Sequence, residues 1–240
     1  MNEISGAAES APKRAIVAVA AFYLVAVGIS LAAAGFPATD FIGQYRVDGG
    51  LLIGLGPLLG AVVGAILLRQ RFPSLFGSNF IIGTLALLAP SALTAITGFG
   101  ALASPGVPGF IFAASIMVYC ICEEAGWRGF LTANLAWMKD WHADLLSGVL
   151  WFAWHFTFMR ELYDPSYLTT FVPAIIAGAF GLAATRRMTG GFALASGWHA
   201  AVKLLPIGAP AFALLAFLAV LTWWGKQAST RPSPVAGPHS

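Results

Sequence analysis

Cys120-Ile121-Cys122-Glu123-Glu124-Ala125-Gly126-Trp127-Arg128-Gly129-Phe130 sets two adjacent carboxylates inside an apolar run, with Phe110 to Tyr119 before it and Phe130 to Met138 after it. An ionised carboxylate at a bilayer centre costs about 2.5–3.5 kcal/mol even on the milder insertion scales, so packing is a poor reason for two of them. Intramembrane acids mark sites or ion pathways, and each calls for a partner. Two further apolar segments carry one histidine apiece, His155 and His199, and these are the expected partners. The competing reading makes both acids part of a salt-bridge network that joins helices.

Composition agrees with a membrane setting. The chain is 58% hydrophobic and 10% charged, with a mean hydropathy of +0.80. Soluble domains average about 45–50% apolar and 25% charged. A net charge of +3 would suggest nucleic acid in a soluble protein. Here the basic residues stand singly between apolar spans, so they report topology, and no nucleic-acid partner is expected.

A helix needs about 20 apolar residues to cross the bilayer. Eight segments qualify: Ala15–Gly35, Leu51–Leu68, Phe80–Phe99, Phe110–Met138, Asp144–Met159, Thr170–Thr185, Phe192–Leu205 and Ala209–Trp224. The expected fold is therefore all-α, a bundle of about eight transmembrane helices in one domain over residues 14–226. With a cytoplasmic N-terminus, Lys13, Arg14, Arg69, Arg71, Arg128, Lys139, Arg186, Arg187, Lys226 and Arg231 fall inside, and only Arg46 and Arg160 fall outside. That distribution obeys the positive-inside rule and puts both termini in the cytoplasm. The first span follows Lys13-Arg14 as a signal peptide would, but its length exceeds the usual h-region and it reads as an anchor. Residues 1–13 and 227–240 read as tails without a role in chemistry. Trp137, Trp141, Trp223 and Trp224 fall at the cytoplasmic interface as an aromatic belt. Gly56, Gly60 and Gly64 form a small-residue stripe suited either to a dimer interface or to packing within the bundle. Cys120 and Cys122 are too close along one helix to pair with each other, and they read as small core residues or as a metal or redox pair.

Helical spacing separates the two glutamates. Glu124 and Arg128 are i, i+4 and can pair, while Glu123 points about 100° away and is free to face the reaction. From Lys139 back to Glu124 is 15 positions, from Asp140 to His155 is 15, and from Arg187 to His199 is 12. At about 1.5 Å per residue these are depths of about 22, 22 and 18 Å, so the three groups share one level. Lys203 lies one turn beyond His199; it either pairs with an acid, loses its proton or snorkels to the interface. Trp127, Trp151, Trp154 and Trp198 adjoin these groups and suit either a pocket for a greasy substrate or ordinary packing.

Two glutamates and two histidines suit hydrolysis. A carboxylate activates water, one imidazole orients it or protonates the leaving amine, and the other stabilises an oxyanion. The same donors suit a divalent metal such as zinc, although no His-Glu-x-x-His pattern is present. No cofactor is expected. No Ser-His-Asp or Gly-x-Ser-x-Gly arrangement supports a serine mechanism.

These motifs resemble the CAAX prenyl protease 2-like (CPBP) intramembrane proteases, also called the type II CAAX prenyl endopeptidases. Their pattern is Glu-Glu-x-x-x-Arg, then Phe-x-x-x-His, then His-x-x-x-Asn or Asp. This chain has Glu123-Glu124 with Arg128, then Trp151 with His155, then His199 with Lys203. The likeness covers about residues 110–205. It implies an intramembrane endopeptidase of a bacterial inner membrane, acting on a peptide or lipidated protein. Glu123 would then activate water with His155, His199 and residue 203 would support the oxyanion, and no metal would take part. Trp151 for Phe keeps an aromatic. Lys203 for Asn or Asp replaces a neutral or acidic partner with a cation, which either donates to the oxyanion or quenches Glu123. A degenerate homologue acting as a binding or immunity-type protein is the alternative, and a proton-coupled transporter is a third reading.

Overall fold

The computed structural model describes residues 3–35, 40–42, 45–47, 50–97, 107–204 and 209–230. Eight α-helices follow one another: α1 (Glu3–Ala34), α2 (Leu51–Leu68), α3 (Phe80–Thr97), α4 (Gly109–Glu124), α5 (Asp140–His155), α6 (Pro165–Thr189), α7 (Ala193–Leu204) and α8 (Ala209–Thr230). α4 continues without a break into a π-helical stretch, Ala125–Leu131, and one last turn, Thr132–Asn134. The expected ends of the third and seventh spans, Phe99 and Leu205, and residues 231–240 of the expected tail lie outside the described residues.

The all-α membrane class holds, with two corrections. Between α1 and α2, β1 (Asp40–Ile42) and β2 (Tyr45–Val47) pair antiparallel, with Phe41 opposite Arg46. Three residues per strand are too few for an alternating pattern to show in sequence. Among the described residues, five helices, not eight, are long and apolar enough to cross a membrane alone: Lys13–Ala34, Leu51–Leu68, Phe80–Thr97, Gly109–Asn134 and Pro165–Thr189. α5 has 16 residues and α7 has 12, about 24 and 18 Å of helix against a core of about 30 Å. Apolarity had suggested full spans there, but these two helices are short; α7 is mostly buried, while α5 buries one face and exposes Trp141, Leu145 and Val149 on the other. α8 has 22 residues, and it extends into positions whose side chains lie outside the described residues.

Burial picks out the central element. In the α4 segment 67% of the apolar window is buried, against 22–39% in the other four spans. Trp127, Phe130 and Leu131 fill one core with Phe22 of α1 and Trp154 of α5. Tyr119 and Cys120 enter a second core with Ile82 and Leu194. Both cysteines are buried and unbonded.

The glycine stripe of α2 is used within the chain. A Cβ at Gly60 would lie 2.5 Å from the Phe22 carbonyl oxygen of α1, and one at Gly56 would lie 2.6 Å from that of Ala26. Side-chain-free positions thus let two backbones touch. On the opposite side, Asp164 caps α6 by accepting the Ser166 N–H at 2.9 Å, with Pro165 at the first helical position. The Ser166 N–H and hydroxyl hold the Asp164 carboxyl below the usual carboxylate range. This cap begins α6 five residues before the expected Thr170. α7 is anchored at its start, where Ala193 N–H donates to Leu75 O at 2.8 Å, and Ser78 N–H donates to Thr189 O at 2.9 Å. The loop before α3 therefore fixes the helix that carries His199.

Gly60→Val should cost about 1–3 kcal/mol of stability through overpacking, read by equilibrium denaturation in mixed micelles. Gly28→Ala, where nothing lies within 4 Å of an added Cβ, should stay within about 0.5 kcal/mol of wild type.

Candidate active site

Glu123 and Glu124 close α4 where hydrogen bonding passes from the α to the π pattern. Single π turns inside α-helices gather at functional sites. This one is pressed against α2: a Cβ at Gly126 would sit 2.7 Å from the Pro57 carbonyl oxygen. Only glycine permits that approach, and the approach holds the segment from Glu123 to Arg128 inside the bundle.

Glu124 is fully buried and serves as a hub. Its Oε1 accepts from His199 Nδ1 at 2.9 Å and from Arg128 Nη1 at 3.4 Å, and its Oε2 lies 3.3 Å from Arg128 Nε. Arg128 is also fully buried, and its guanidinium lies 4.1 Å from the centroid of the Trp151 ring. The i, i+4 pairing expected from spacing is present, and it also reaches α7 through His199.

Glu123 faces another way, as helical geometry requires. Its Oε2 accepts the Trp151 indole N–H at 2.8 Å. Its Oε1 is buried without a hydrogen-bond partner. Such an oxygen is the natural seat for a water. His155 sets its Nδ1 2.7 Å from the Trp151 carbonyl oxygen. A carbonyl only accepts, so Nδ1 carries the proton and Nε2 presents its lone pair. The Trp151 ring lies 5.6 Å from the His155 ring and 5.3 Å from the His199 ring, centroid to centroid. Glu123 and the two histidines thus meet at one indole, and Glu124 is joined to it through Arg128.

A cavity of about 600 Å³ opens beside them. Trp151, His155, Trp198, His199 and Lys203 line it, and α6 supplies a wall from Phe171 to Thr185. Trp127 and Trp154 do not line it. Trp127 packs edge-on against Phe22 with centroids 5.2 Å apart. Trp154 donates its indole N–H to Ser30 Oγ at 2.9 Å, and Ser30 donates in turn to Ile53 O at 3.1 Å. Glu123, Glu124 and Arg128 also lie behind the wall rather than in it. Lys203 is exposed toward the cavity, with Nζ 3.9 Å from the Tyr119 ring centroid. Among the described residues it forms no ion pair with Glu123.

Two contacts were not legible beforehand. Arg187 clamps Asp144 through both carboxylate oxygens at 2.8 Å each, fixing α6 against α5. Only the general rule that an acid in an apolar segment has a partner pointed to Asp144. Tyr119, one turn before Glu123, had no signal of its own. Among the described residues, no three His, Cys, Asp or Glu side chains are grouped to hold a metal ion.

Residues 105–205 match the family model of type II CAAX prenyl endopeptidase, Rce1-like. The matched stretch, which is under half of the chain, holds both glutamates, Arg128, both histidines and Lys203, so that this part of the chain is similar to the type II CAAX prenyl endopeptidase family. No curated protein and no solved structure matches the chain.

Removing Arg128 leaves a buried acid with its cation gone. Arg128→Met should therefore destabilise the protein by about 3–5 kcal/mol, measured by chemical denaturation. Adding Glu124→Gln to it should recover much of the loss.

Proposed function

We propose that the protein is an intramembrane endopeptidase that cleaves a peptide or lipidated protein near the membrane, using water activated by Glu123. One observation carries this reading: the unpartnered, buried Glu123 Oε1 on a side chain held at 2.8 Å by the indole that also faces both imidazoles. A water on Oε1 would give one proton to Glu123 as its oxygen attacks the scissile carbonyl carbon, while His155 Nε2 accepts the other hydrogen and sets the angle of attack. The oxyanion so formed would take a hydrogen bond from His199. Glu124 holds the ring through Nδ1, which fixes the orientation of the opposite ring edge toward the oxyanion. Lys203, one turn further on, adds positive charge on the same side. Glu123 then passes its proton to the leaving amine, the C–N bond breaks, and a carboxylic acid and an amine leave.

In this reading the chemistry needs no metal. The protein resides in a bacterial inner membrane, as the family resemblance implies, with both termini cytoplasmic, as the charge distribution suggests. A second reading has one observation in its favour: Lys203 stands where the family pattern carries Asn or Asp, and its ammonium rests on Tyr119. In that case the same cavity binds a peptide or partner without turnover.

Purified protein incubated with a peptide library in detergent separates the two. Hydrolysis should fall about 10²- to 10⁴-fold in Glu123→Gln, fall in His155→Ala as well, and persist in the presence of a chelator. Equal cleavage by wild type and both variants would refute the assigned chemistry, and binding without cleavage would favour the second reading.

A further inference from the structure

We infer that Trp151 is a positioning residue for the reaction, holding the base through its indole N–H and the partner histidine through its backbone carbonyl. The inference rests on the endopeptidase reading. It assigns to Trp151 a task that an aromatic wall alone does not perform.

Four contacts converge on this side chain, which is only 4% exposed. The N–H donates to Glu123 Oε2 at 2.8 Å. The Arg128 guanidinium covers the ring at 4.1 Å. The Trp151 backbone carbonyl takes the His155 Nδ1–H at 2.7 Å. The ring also walls the cavity. One residue thereby fixes the carboxylate of the base and the tautomer of its partner histidine. It leaves two acceptors free for water, Glu123 Oε1 and His155 Nε2.

The N–H contact is the chemically specific part. A phenylalanine, the residue found here in the pattern that the chain resembles, fills similar volume but has no donor. With Trp151 replaced in that way, Glu123 would lose the hydrogen bond on Oε2, and the carboxylate would turn about its terminal torsion, which is broad for glutamate. An anion over which a charge-assisted hydrogen bond is lost loses orientation as well as energy. The cation over the ring adds to this. Arg128 is held on the face of Trp151 while bound to Glu124, so the indole also joins the base to the ion pair that carries His199. Glu123 and Glu124, adjacent in sequence and pointing apart, are tied together again through Trp151 and Arg128.

The test compares wild type, Trp151→Phe, and a protein with 3-benzothienylalanine at position 151, in which sulfur replaces the N–H and the bicyclic shape is kept. Both substitutions should lower kcat about 10- to 100-fold, the value of a hydrogen bond to a charged group, with KM changed less than about threefold because the cavity wall is retained. The indole signals of the eight tryptophans, resolved by ¹⁵N–¹H spectroscopy and assigned by the loss of one in Trp151→Phe, supply a readout independent of turnover. The Trp151 resonance should move in Glu123→Gln and stay in place in His142→Ala. An isostere with wild-type kcat, or an indole resonance indifferent to Glu123→Gln, would overturn the inference while leaving the endopeptidase reading intact. Wild-type protein as inactive as Glu123→Gln would instead refute the endopeptidase reading, and the positioning role would fall with it.

Discussion

The structure is organised around a buried charge. Arg128 and Glu124 are both sealed from solvent, and an ion pair buried in this way needs fixed neighbours around it. The neighbours come from separate helices: His199 of α7 on one carboxylate oxygen, and the Trp151 ring of α5 under the guanidinium. Bringing those groups together defines where α5 and α7 stand relative to α4. The apolar surfaces supply most of the driving force for the bundle, but they are tolerant of small rotations. The ion pair is not, so it sets the register at which the polar groups meet.

Local backbone geometry makes that arrangement reachable. The π-helical stretch after Glu124 and the bare surface of Gly126 let the charged segment press onto Pro57 of α2. α7 begins at a fixed point because the loop preceding α3 bonds both ends of the turn before it. Asp144 and Arg187 then lock α6 to α5. The result is a rigid polar centre with a spacious apolar cavity beside it, between the histidines and the wall formed by α6. Placing the base behind an aromatic partition rather than in the open cavity keeps its charge among fixed dipoles, away from hydrocarbon.

Much of this could be read from the residues. The cost of acids in hydrocarbon pointed to Glu123 and Glu124, the i, i+4 spacing gave the Glu124–Arg128 pair, and counting from the helix ends placed His155 and His199 at the same level. What escaped was whatever depends on side-chain reach across helices. Trp151 and Trp154 look alike in sequence, three positions apart on one apolar helix, yet one indole N–H finds Glu123 and the other finds Ser30. The difference is a rotation about the α5 axis, which no pattern of hydrophobicity encodes. Span counting failed because apolar composition does not fix helix length: α5 and α7 are apolar but too short to cross a bilayer alone, and α5 still exposes Leu145 and Val149 on one face. The glycine stripe of α2 suited two uses equally until α1 was seen lying on it.

The hydroxyl of Ser30 has a consequence for motion. It takes a proton from α5 through Trp154 and gives one to the backbone of α2 at Ile53, so a single small side chain laces three rods together at one height. Axial sliding of α5, which would carry His155 and Trp151 with it, must stretch both links at once. The half of the bundle built from α1, α2 and α5 is thereby stiffened into a fixed frame, and any breathing that admits a bulky guest must work against the Asp144–Arg187 clamp on α6 and the Trp198–Thr222 link on α8.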